Sequence, residues 1–182
     1  MKQIISELHQ DHQHISTLLT ILKNKLATLE LGGRPNFNLM SDLLDYLDDY
    51  ADEYHHTRED LIFGFMRHHH PETDSLINQA EREHLELAQL TAALRDSVEQ
   101  VLMDEPFSIP DFSNRLRRFI SKQSQHLSFE EGRLLPLIDQ LMTVSDWQQF
   151  SQQAPLQRDP DMEATRKERY QQLCSALIED LA

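Results

Sequence analysis

Apolar residues recur at three- and four-residue steps through most of the chain, the period of helices that each bury one face. The first stripe is Ile4, Ile5, Leu8, His12, Ile15, Leu18, Leu19, Leu22, Leu26 and Leu29. It predicts a helix from about Lys2 to Leu31, ended by Gly32, Gly33 and Pro35. A second helix is expected from about Asn38 to His69, with Leu43, Leu44, Leu47, Ala51, His55, Glu59, Ile62 and Met66 facing inward; Pro71 then breaks the chain. A third is expected from about Thr73 to Met103, along Leu76, Ile77, Ala80, His84, Leu87, Leu90, Leu94 and Val98. After a loop with two prolines, a fourth is expected from about Asp111 to Met142, along Phe112, Leu116, Phe119, Gln123, His126, Glu130 and Leu134. Pro136 should kink or shorten its end.

Four helices of about 30 residues, each about 45 Å long and joined by short loops, make an all-α, antiparallel up-down-up-down four-helix bundle the simplest architecture. The bundle occupies residues 1–142 and a helical extension residues 143–182. In the extension, Ser145 to Gln152 reads as a short helix around Trp147 and Phe150, followed by a polar linker, APLQRDPD. Met162 to Leu181 reads as an additional C-terminal helix, with Tyr170, Leu173, Leu177 and Ile178 packed on the bundle or serving a homodimer.

Composition agrees with helices. Only 4 of 182 residues are glycine, and the charged fraction is 26%. The net charge of −14 makes nucleic acid and anionic membrane surfaces poor partners. A single cysteine, Cys174, excludes an internal disulfide, a thiolate zinc site and an iron–sulfur cluster. Cys174 itself reads as a buried small residue. The first residues, MKQIISELHQDHQH, lack an apolar stretch of signal-peptide length, and no segment could span a bilayer. A cytoplasmic location is expected.

The chain also repeats itself. Asp11-His12 is followed by Ile15, Leu18 and Leu22; Glu83-His84 is followed by Leu87, Leu90 and Leu94, at the same offsets. His55-x-x-x-Glu59-Asp60 matches His126-x-x-x-Glu130-Glu131. His55 lies 43 residues after His12, and His126 lies 42 after His84. Residues four apart share a helix face, so each histidine–glutamate pair can aim at one point. The inner faces of a bundle converge, which puts four imidazoles and two carboxylates in an apolar interior. Buried charge is normally paired or bound to metal. The inner stripes carry no lysine or arginine near these residues, so metal ions are the compensation the sequence offers. His12, His55, Glu59, His84, His126 and Glu130 exceed the needs of one tetrahedral zinc; two metals sharing two carboxylates would use all six. Mixed nitrogen and oxygen donors suit iron, manganese or zinc better than magnesium or calcium. His56 is the alternative to His55, being three residues from Glu59, although the match with His126 and Glu130 favours His55.

The segments QDHQHI, HHTRED, REHLEL and HLSFEEGRLLP, in this order over about Met1 to Leu141, resemble the hemerythrin-like proteins, or HHE cation-binding domain. The resemblance implies a left-handed bundle with two iron ions joined by an oxo or hydroxo bridge. The four histidines would be terminal ligands, and Glu59 and Glu130 would bridge. Oxygen-carrying members have a further ligand histidine four residues from the one on the third helix, where this chain has Ala80 and Ala88. Family members also often have proline after the first histidine–glutamate motif, where this chain has Phe63-Gly64-Phe65; the second motif keeps Pro136. A four-histidine, two-glutamate site is similar to that of di-iron proteins that repair iron–sulfur clusters, although their cysteine-containing N-terminal domain is absent here. These features lead us to expect a small diatomic ligand or peroxide as partner, in stress response or iron handling, together with a redox partner protein. The alternatives are an enzyme that reduces nitric oxide or peroxide or donates iron, and a structural bundle with zinc. His9, His14, His68, His69 and His70 are expected to face solvent or cap helix ends. Tyr46, Tyr50 and Tyr54, at four-residue steps, are expected to pack; the alternative places one of them near the metals as a hydrogen-bond donor or radical sink.

Overall fold

The computed structural model describes residues 3–50, 54–153 and 160–180. Lys2, Ala51, Leu181 and most of the APLQRDPD linker, which entered the sequence reading, lie outside them. The described residues form helices and no strand. Helix α1 spans Gln3–Glu30, and every residue of its expected stripe is buried. Its end follows from backbone chemistry. Gly32 adopts φ 83°, its N–H donates to Leu29 O, and the Gly33 N–H donates to Thr28 O. This paired closure of the last turn needs a left-handed residue, which glycine adopts at little cost.

The second expected helix is not one regular helix. Helix α2 covers Phe37–Tyr50 and α3 covers His56–His69, with π geometry at Tyr54 and His55. The Asn36 side chain caps α2 by accepting from the Asn38 and Leu39 N–H groups. One 3-10 turn, Pro71–Thr73, leads into α4, Asp74–Leu102. The fourth expected helix is likewise divided. Helix α5, Ile109–Phe129, passes through a π segment, Glu130–Leu134, into α6, Leu135–Leu141. The Leu135 N–H reaches five residues back to Glu130 O. Pro136 has no N–H to continue the ladder, and the wider turn before it absorbs that loss.

Ion pairs and one hydrogen bond show how the long helices run. Between α1 and α5 with its π continuation, His9 meets Glu131 near one end and Glu30 meets Arg117 near the other. On α4 and α5, Glu83 meets His126, Glu86 meets Lys122, and Ser97 meets Arg115. Both pairs of helices are therefore antiparallel. Two apolar clusters fill the interior. One holds Ile15 to Leu29 of α1 with Met40 to Tyr50 and Phe112 to Leu127; the other holds Ile4 to Leu8 with Ile62 to Met66 and Phe129 to Ile138. Between them, on every long helix, lie the residues predicted to bind metal.

Helix α7, Val144–Gln153, closes the second cluster with Trp147 and Phe150. Helix α8, Pro160–Glu179, lies against α1 and α2 and buries Leu173 and Leu177. Ile178, expected to face inward, is 62% exposed. Consecutive helical residues point about 100° apart, and Leu177 takes the inward direction. Cys174 is only partly buried. The Asp180 carboxylate accepts from Lys25, which is buried in α1. No helix among the described residues is long and apolar enough to cross a membrane.

A Cβ added to Gly32 would meet nothing within 4 Å, so replacing it tests the backbone conformation alone. Gly32→Ala should lower stability by about 1–2 kcal/mol, the cost of a left-handed non-glycine residue, read from urea or thermal unfolding.

Candidate metal centre

The four long helical segments bring all six predicted residues to one layer. Glu59 and Glu130 are fully buried, and His12, His55 and His126 are nearly so. His12 Nε2 lies 3.2 Å from His55 Nε2, and His55 Nε2 lies 3.4 Å from Glu59 Oε1. The other oxygen, Glu59 Oε2, lies 3.3 Å from His84 Nε2. Glu130 does the same in mirror sense. Its Oε2 is 3.2 Å from both His12 Nε2 and His126 Nε2, and its Oε1 is 3.5 Å from His84 Nε2. Each carboxylate thus turns one oxygen toward His12 and the other toward His84.

Among the described residues, no hydrogen bond satisfies either carboxylate, nor His84 Nε2 or His126 Nε2. Buried polar atoms rarely go without partners. These atoms are close but not aligned for proton sharing. Their spacing is near the separation of about 3 Å between neighbouring ligands that each sit about 2.0–2.2 Å from an ion. The donor set therefore fits metal. His12, His55, Glu59 and Glu130 can converge on one ion, and His84 and His126 group with His56 in a second cluster. His56 does not displace His55; both reach the layer.

The outer nitrogens are held by acids, which fixes how each ring points. His12 Nδ1 donates to Glu131 at 2.6 Å, His126 Nδ1 donates to Glu83 at 3.1 Å, and His55 Nδ1 faces Asp11 at 3.4 Å. Asp11 also accepts from the Tyr50 hydroxyl at 2.6 Å and from Arg58 at 3.0 Å. Asp60, the counterpart of Glu131 in the repeat, lies near enough to His84 to favour its charged form. Within each half, the acid preceding the lone histidine holds the histidine of the His-x-x-x-Glu motif.

Electrostatics in the ion-free protein follow from this crowding. Burial works against a charged His12, yet Glu130, Glu131 and Glu59 push its pKa up to about 11. Burial also opposes charge on Glu130, but His126, His12 and His84 hold its pKa well below the usual carboxylate range. Burial, reinforced by His84, His55 and His126, pushes His56 down to about 2. Protons on imidazoles thus stand where cations would otherwise balance the carboxylates.

Several contributors escaped the sequence reading. His9, expected in solvent, donates to Glu131 at 2.7 Å and so steadies the acid that holds His12. Arg58, a buried cation near the layer, pairs with Asp11 and sits 3.6 Å over the Tyr54 ring. The acids before His12 and His84 were visible as a repeated feature, and that repetition was the signal for their role. His14 stacks on Tyr170 at 4.6 Å, while His68 and His69 lie in the last turn of α3.

Glu83 is partly exposed and touches the site only through His126, so neutralising it spares the core. Glu83→Gln should weaken metal binding by about 10–100-fold with little change in helix content, measured by chelator competition.

The family model for the hemerythrin HHE cation binding domain matches residues 3–138, the span that carries every one of these residues. No curated protein matches the chain, and no solved structure does. Over most of its length, and with the histidine–glutamate layer in place, this chain belongs to the hemerythrin HHE cation-binding domain family.

Proposed function

We propose that His12, His55, Glu59, His84, His126 and Glu130 hold two iron ions, and that this centre binds or reacts with dioxygen, nitric oxide or peroxide in stress response or iron handling. One observation carries the reading: two buried carboxylates, unsatisfied by hydrogen bonds, each face both halves of a histidine layer. That is the arrangement of bridging ligands. A pair of irons would supply reversible electron exchange with a small ligand, and nitrogen and oxygen donors suit that metal.

The protein's own part is positional. Asp11, Glu83 and Glu131 set the imidazole rings, and the apolar clusters above and below the layer keep bulk water away. A cavity of about 330 Å³ between α1 and α5, lined by Ser16, Thr20, Ser124 and Ser128, reaches His12 and Glu131. Leu19, Lys23 and Leu127 complete its lining, and it gives a small molecule a way to the edge of the layer beside His12. Electrons would come from a separate protein.

Elemental analysis of protein reconstituted with ferrous ion, followed by optical titration with nitric oxide, tests the reading. Two irons per chain and a saturable spectral change are expected. Protein that takes up no iron, or two irons that ignore nitric oxide, dioxygen and peroxide alike, would overturn it. Zinc in the protein as isolated should exchange for iron on reconstitution.

A further inference from the structure

The chain has four tyrosines, and all of them belong to one connected group. Tyr50 pairs with Tyr46 at 5.4 Å between ring centroids and with Tyr54 at 5.5 Å; Tyr46 pairs in turn with Tyr170 of α8 at 6.0 Å. These are the separations of packed aromatic pairs, so the group is continuous from ring to ring. It has an inner and an outer end. At the inner end the Tyr50 hydroxyl donates to Asp11 Oδ1 at 2.6 Å, and Asp11 Oδ2 lies 3.4 Å from His55 Nδ1. At the outer end Tyr170 is partly exposed and stacks on His14. A cavity of about 300 Å³ between α1, α2 and α8 opens on all four rings. The rings are not equivalent toward oxidation. Arg58 sits 3.6 Å over the Tyr54 ring, and its positive charge opposes loss of an electron there. Tyr50 has the opposite neighbour, a carboxylate placed to take its proton.

Resting on the two-iron reading above, we propose that Tyr50 is a reserve electron donor to the centre, and that Tyr46 and Tyr170 connect it to the surface. The chemistry that calls on it is peroxide reduction. Cleaving the O–O bond takes two electrons. Two ferrous ions supply both, but a centre with a single ferrous ion supplies one, and Tyr50 supplies the other. The Tyr50 O–H bond breaks, its proton passes to Asp11, and loss of the electron leaves a neutral phenoxyl radical. Tyr170 then returns an electron to Tyr50 through the Tyr46 ring, Asp11 returns the proton, and the Tyr170 proton goes to solvent. In sum, peroxide, one ferrous ion and one phenol give one ferric ion, one phenoxyl radical, one hydroxide and one water. The radical ends at Tyr170, where a soluble donor of one electron and one proton, such as ascorbate, restores the phenol. Without this donor the same half-reduced centre would cleave peroxide with one electron and release hydroxyl radical beside its own ligands.

The test follows the radical. Wild type and variants are saturated with iron, counted by elemental analysis, brought to one ferrous ion per chain, mixed with peroxide, frozen and read by electron paramagnetic resonance. Deuterium-labelled tyrosine identifies the radical as tyrosyl. Wild type should hold two irons and give a tyrosyl radical that ascorbate quenches. Tyr50→Phe, still holding two irons, should lose that radical and raise the hydroxyl radical caught by a spin trap. Tyr170→Phe and Tyr46→Leu should keep a radical at Tyr50 but lose its quenching by ascorbate, whereas Tyr54→Phe should behave as wild type. If Tyr46→Leu fails to fold, judged by helix content, Tyr170→Phe reads the outer path alone. Two irons without a tyrosyl radical, a radical that survives Tyr50→Phe, or quenching that survives Tyr170→Phe would overturn this proposal and leave the two-iron reading standing. Fewer than two irons in wild type would overturn that reading and the proposal with it.

Discussion

Two carboxylates at zero exposure, Glu59 and Glu130, impose the central constraint on this protein. An ionised carboxyl in an apolar interior costs several kcal/mol unless a counter-charge is held close. Every long helix answers that demand at the same level, with His12, His55, His84 and His126. The answer is incomplete without cations, because the inner oxygens are approached by nitrogens at 3.2–3.5 Å yet satisfied by none. Hydrophobic burial holds the helices together; the charge balance decides what they must enclose.

The second tier of acids makes the constraint workable. A histidine can rotate, and a ring turned the wrong way presents carbon where nitrogen is needed. Asp11, Glu83 and Glu131 remove that freedom by gripping the far nitrogens. Tyr50, Arg58 and His9 in turn grip the acids. The geometry is thus set from outside inward, with partly exposed groups such as His9 and Glu131 at its outer edge. The tyrosines at four-residue steps fall into place here: Tyr50 donates to Asp11, one step outside the layer, and Tyr46 packs beside Tyr50 at 5.4 Å.

The helical stripes and the six-residue set were legible because both follow the 3.6-residue period, and internal repetition picked out the four histidines and two glutamates that meet in one layer. Particular departures were less legible for physical reasons. The π turns at Tyr54–His55 and Glu130–Leu134 depend on backbone bonds shared with neighbouring turns, and only the second had a local marker, Pro136. Nothing near Lys25 in the sequence marks it as buried, because its partner, Asp180, is 155 positions away. His9 looked incidental because its value lies in Glu131, across the bundle. The choice between His55 and His56 was posed as exclusive, since a regular helix aims only one of two neighbours at a given point; the altered turn removes that exclusivity.

The histidine–glutamate layer also divides the interior. Apolar contact runs from Ile15 toward one end and from Leu8 toward the other, and the polar layer separates the two clusters. Each cluster can hold its own ends of the helices together, but little apolar contact passes between them. Ions shared by all four helices at that level would bind one half to the other. Loading would then act on cooperativity as well as on strength: a filled centre makes the bundle unfold as one unit, while an empty one leaves two halves able to loosen separately.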